Sequence, residues 1–247
     1  MTLASPQGGA RQLSRSGVVL AVCGVILLLV ALNVADHYVH GSSLWLGPLA
    51  AVVLLVLARA IGLSWSELGL GRDRLGTGLR WAAVLIALVA LVYLVGVLIP
   101  LTRDAFRDDR YHTGAAAAFF TAFVRIPIGT VLLEEVAFRS VLWGLLSRVL
   151  KPRWVLISTS LLFGCWHVLP SLNLAASNDA IRNALGGSSG AAQVVSVLGA
   201  VIFTSLGGVV FGELRRRSGS LLPSIGLHWA TNALGVLFGL LAWRLSA

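Results

Sequence analysis

The stretch LLEEVAFRS (residues 132–140) sets two adjacent glutamates and an arginine inside an apolar run that extends from residue 114 to residue 150. The chain around it is also predominantly apolar. Of 247 residues, 57% are hydrophobic and 12% charged, and the mean hydropathy is +0.88. A soluble domain carries about 25% charged residues, so the composition indicates an integral membrane protein. A spanning helix needs roughly 20 apolar residues. Such runs cover residues 17–35, 44–63, 78–100, 114–150, 154–170, 191–213 and 221–243. The reading is an all-α, polytopic transmembrane helix bundle of seven or eight helices. The eighth arises if Arg125 and Pro127 break the long run, leaving residues 115–124 as a short or re-entrant piece and 128–150 as the span.

The formal charge of +9 and pI near 11.2 do not indicate nucleic acid, because the arginines gather at the ends of apolar runs. There they set orientation. Arg11 and Arg15, the group Arg59, Arg72, Arg74 and Arg80, then Arg148, Lys151 and Arg153, and finally Arg215, Arg216 and Arg217 fall on alternate sides. The other side holds His37, His40, a charge-balanced 103–110 segment, Asp179 and Arg182. Seven spans then put the N-terminus inside and the C-terminus outside. Trp45, Trp81, Trp154 and Trp243 mark span ends. Cys23 and Cys165 lie in apolar runs, which argues against a disulfide framework and for core packing of Cys165. Three segments are expected: a flexible polar terminus (1–16), three transmembrane helices with loops (17–112), and a membrane domain bearing the site (113–247). The first apolar run lacks a small-residue cleavage site and reads as a retained helix. Gly208/Gly212 and Gly235/Gly239 predict close helix packing.

Of ten acidic residues only Glu134 and Glu135 lie well inside a span, and of five histidines only His167 and His228. A central charge costs about 2.5 to 3.5 kcal/mol on the insertion scale unless it is paired or faces a wet cavity. Residues four apart share a helix face, so Arg139 pairs with Glu135. Glu134, turned about 100° away, is left to face something else. Phe163 shares a face with His167, and His228 with Asn232. The turn at residues 151–153 joins two antiparallel spans, and at 1.5 Å per residue Glu134 and His167 lie roughly 27 and 23 Å from it. From Arg217, His228 and Asn232 are roughly 17 and 23 Å away. The four groups therefore converge in one layer. A glutamate and a histidine sharing a water form a general base. A second histidine and an asparagine are suitable oxyanion donors. Together they describe amide hydrolysis by activated water. Glu134, His167 and His228 also form a His₂Glu set of the kind that binds Zn²⁺, although HExxH is absent. Trp166 and Trp229 flank the histidines and read as core filling.

These residues make motifs. EEVAFR (134–139) matches EExxxR, FGCWH (163–167) matches FxxxH, and HWATN (228–232) matches HxxxN. Over about residues 115–245 the chain resembles the CAAX protease and bacteriocin-processing (CPBP) intramembrane proteases, relatives of the type II CAAX prenyl endopeptidase. The resemblance implies a membrane-embedded endopeptidase in which Glu134 and His167 activate water, Glu135 and Arg139 support them, and His228 and Asn232 hold the oxyanion. The family is often labelled metalloprotease. We expect no cofactor; Zn²⁺, if used, would take Glu134, His167 and His228. Expected partners are the lipid bilayer and a peptide or membrane-protein substrate, with no nucleic acid, and the expected location is a bacterial cytoplasmic membrane. Ser140 stands where many relatives have glycine. The competing readings are a non-catalytic scaffold or bacteriocin-immunity protein of the same fold, and an ion or proton transporter.

Overall fold

The computed structural model describes residues 13–39, 41–107, 114–172 and 190–246. The terminus before residue 13, His40, Arg110, Asp179 and Arg182 lie outside the described residues. The described chain forms seven helical rods: α1 (Arg15–Tyr38), α2 (Ser43–Ala60), α3 (Leu75–Leu98), α4 (Ala115–Ser147), α5 (Pro152–Trp166), α6 (Gly190–Ser218) and α7 (Leu222–Ser246). Every one except α5 is long and apolar enough to cross a membrane. Large apolar side chains such as Leu20, Leu27, Val84, Leu198 and Phe203 stand exposed around the bundle. Apolar surface so widely exposed fits lipid rather than water. The chain is an integral, multi-pass membrane protein.

Helix α4 is the central rod. Leu133, Val136, Ala137, Phe138 and Val141 on it pack with Val18, Val25 and Leu29 of α1 and with Ala50, Ala51 and Leu54 of α2. The break expected at Arg125 and Pro127 does not occur. The 33 residues run on without interruption, because wide π turns over Thr121–Arg125 and Pro127–Val131 absorb the proline. In that register the N–H of residue 127 would bond the carbonyl of Ala122, and proline has no N–H. The indole Nε1 of Trp229 donates to Ala122 O instead, at 3.0 Å. Trp229 therefore mends the helix as well as filling space.

Helix α5 has 15 residues, about 22 Å, against a hydrocarbon core of about 30 Å. It stops at Trp166 because Pro170 cannot continue the hydrogen-bond ladder, and irregular turns follow through Leu172. Non-helical backbone at such depth is tolerated only against protein or a cavity. Helix α5 lies tightly on α6: a Cβ at Gly208 would come within 3.0 Å of Ser160 Cα, and one at Gly212 within 2.5 Å of a Leu156 methyl. The pair Gly208/Gly212 thus packs as expected. Cys165, expected in the core, is exposed, and so is Cys23.

Beneath this bundle, Arg215 is 5% exposed. It donates to the carbonyls of Arg139, Ser66 and Glu67. Ser140, fully buried, donates to Leu68 O at 2.7 Å. The Ser140 hydroxyl therefore ties α4 to the 61–71 loop.

Candidate active site

Glu134 and Glu135 follow one another on α4, between two π segments, and consequently diverge. Glu135 is fully buried and turns toward α7. Its Oε1 lies 2.8 Å from His228 Nδ1 and 3.4 Å from Arg139 Nη1. The expected Glu135–Arg139 pair is present, and His228 joins it. Arg139 is 1% exposed, and its terminal nitrogens have no hydrogen-bond acceptor. Its guanidinium lies instead 3.8 Å from the ring centroid of Phe163 and 5.0 Å from that of Phe211. Such a desolvated cation over aromatic faces is worth about 2 kcal/mol.

Glu134 points the other way. Its Oε1 accepts a hydrogen bond from Trp166 Nε1 at 3.0 Å. Its Oε2 has no hydrogen-bond partner among the described residues and lies 4.0 Å from His167 Nε2 and 3.7 Å from His228 Nε2. Trp166, which reads in sequence as core filling, is therefore a ligand of the carboxylate. Only its place beside His167 hinted at this.

His167 caps α5, and its Nδ1 lies 2.8 Å from Phe163 O. A carbonyl only accepts, so Nδ1 carries a proton and Nε2 is directed at Glu134. The shared face of Phe163 and His167 is thereby realised, with their rings 4.7 Å apart.

Of the pair His228 and Asn232, the first is buried and the second lines a cavity. His228 is 4% exposed, stacked on Phe211 at 5.0 Å, and spans the two carboxylates with its two ring nitrogens. Asn232 is exposed. A π turn over Ala230–Leu234 lies between them.

A cavity of about 870 Å³ opens over this cluster. Glu134, Trp166, His167 and Asn232 line it, together with Asn33 of α1 and Arg125 of α4. His228, Glu135 and Arg139 are absent from its wall and stand behind Glu134. The Glu134 carboxylate, the His167 imidazole and the Asn232 amide thus face one cavity, which Asp36 also lines. Among the described residues no group of three or more His, Cys, Asp or Glu side chains is gathered to hold a metal ion. Glu134 Oε2 stands 3.7 and 4.0 Å from the Nε2 atoms of His228 and His167, and Glu135 holds His228 from its Nδ1 side.

Residues 116–234 match the family described as type II CAAX prenyl endopeptidase Rce1-like. That segment runs from α4 to the π turn of α7 and contains every residue of the three motifs. The resemblance read from those motifs therefore holds, and α1 to α3 lie outside it. No curated protein and no solved structure matches the chain.

Proposed function

With residues 116–234 an Rce1-like segment of a CAAX-protease-like membrane protein, we propose that the chain is an intramembrane endopeptidase that hydrolyses a peptide bond with a water activated by Glu134 and His167. The observation that carries this reading is Glu134 Oε2: a buried carboxylate oxygen with no hydrogen-bond partner among the described residues, facing an imidazole nitrogen 4.0 Å away on a cavity wall. A water hydrogen-bonded to both fits that separation.

In this mechanism Oε2 takes the proton as the water oxygen attacks the carbonyl carbon of the scissile bond. Negative charge develops on the carbonyl oxygen, and the Asn232 amide, which makes no side-chain hydrogen bond among the described residues, donates to it. The proton then passes to the departing amine, and the peptide bond breaks. His228 supports a different task from the oxyanion role that the resemblance implies. Anchored on Glu135 and buried behind Glu134, it holds the base from the rear. No step requires a metal ion. We place the protein in a bacterial cytoplasmic membrane, with a peptide or membrane-protein segment as substrate.

The test is cleavage in proteoliposomes, read by mass spectrometry on a panel of apolar peptides. Glu134→Gln keeps an acceptor for Trp166 but removes the base, and the rate falls about 10²- to 10⁴-fold. Wild-type hydrolysis that survives E134Q refutes the role of Glu134. Ion flux without cleavage indicates a transporter, and neither activity a scaffold.

A further inference from the structure

We propose that Asn33, on α1 and outside the Rce1-like segment, is a positioning residue of the site, acting through Trp166 on Glu134. The proposal rests on the hydrolytic reading for its catalytic consequence and on geometry for the coupling.

The coupling originates at Pro170. Trp166 is the last residue of α5. Continued helix would satisfy its carbonyl with the N–H of residue 170, but proline has none. A carbonyl left without a donor at this depth costs several kcal/mol. Asn33 Nδ2 supplies the donor from α1, at 2.7 Å. The same tryptophan donates its indole N–H to Glu134 Oε1 at 3.0 Å. Trp166 is thus held by its backbone and holds the carboxylate by its side chain. With Oε1 occupied, Oε2 is the oxygen left toward His167. His167 is the next residue after Trp166, so one fixed helix end aims both members of the water-activating pair. Asn33 itself lines the cavity, and it is the polar interruption in an otherwise apolar stretch of α1, VALNVA.

A purely structural amide between two membrane helices contributes on average about 0.6 kcal/mol and would leave the carboxylate's orientation alone. The two roles are separated by labelling the full-length protein with 5-fluorotryptophan in lipid nanodiscs. Its eight tryptophans give eight fluorine resonances, and W166F identifies that of Trp166. The expected result is that N33L and E134Q each move the Trp166 resonance and leave that of Trp229 in place. In the cleavage assay N33L lowers kcat about tenfold or more, as misplacement of reacting groups does, with KM changed less than about twofold. A Trp166 resonance indifferent to N33L overturns the coupling; a moved resonance with unchanged kcat overturns the positioning role. N33A decides the same readouts if N33L does not fold. A wild-type chain without peptidase activity refutes the hydrolytic reading and with it the catalytic consequence, while the resonance still decides whether Asn33 governs the indole.

Discussion

His228 Nδ1 and Glu135 Oε1 meet at 2.8 Å although 93 residues separate them, and both are buried. This contact ties α7 to α4 behind the cavity. It sets Glu135 between an imidazole and a guanidinium, hydrogen-bonded to the first and ion-paired with the second.

Replacing Glu135 therefore destabilises more than it would in a simple pair. Glu135→Ala strands Arg139 and His228 together, at a cost of roughly 3–5 kcal/mol. Thermal unfolding in detergent is expected to show a marked fall in Tm, accompanied by loss of cleavage. An unchanged Tm with lost cleavage would mean that the buried triad does not stabilise the fold.

Asn232 predicts the opposite balance. It is exposed to the cavity and no side-chain hydrogen bond among the described residues engages it, so Asn232→Ala should leave Tm within a degree or two. As an oxyanion donor its removal costs about 10²- to 10³-fold in kcat. A loss confined to KM would assign Asn232 to substrate binding in place of oxyanion stabilisation.

The 61–71 loop carries a pH-sensitive contact outside the spanning helices. Burial pushes the Glu67 carboxyl up. The hydrogen bonds from Arg148 and from Ser64 outweigh it, and hold the group below its ordinary value of 4.5. Arg148 Nε lies 2.9 Å from Oε1, and Ser64 N 2.7 Å from Oε2. A lowered carboxyl pKa means that the stabilisation is fully present above 4.5 and is lost as pH falls through the folded-state value. Wild-type Tm should therefore drop relative to Glu67→Gln as pH is lowered below 4.5. Parallel curves for the two proteins would contradict the assignment.

Metal dependence separates the proposed mechanism from a Zn²⁺-based one. Activity is expected to survive exhaustive chelation, with elemental analysis showing no stoichiometric zinc linked to it. One zinc per chain, lost and restored together with cleavage, would move Glu134, His167 and His228 into a ligand set.

What the sequence determined by itself rests on two short-range rules. Apolar runs of span length dictate membrane helices, and a charge inside such a run demands a partner. Glu134, Glu135, Arg139, His167 and His228 were legible as one cluster for that reason, and the four-residue spacing gave the Glu135–Arg139 pair. The order of the three motifs gave the family. Other features depended on contacts between distant helices. Pro127 and Pro170 each remove one donor, but nothing local says that Trp229 and Asn33 supply the replacements. Pro127 was expected to break α4, and π turns carry it through, because a helix in the bundle interior can widen where a side chain from α7 satisfies the exposed carbonyl. Helical periodicity reports which residues share a face of an ideal rod. The packing of rods decides where the rod departs from ideal and which distant side chain meets the group left behind.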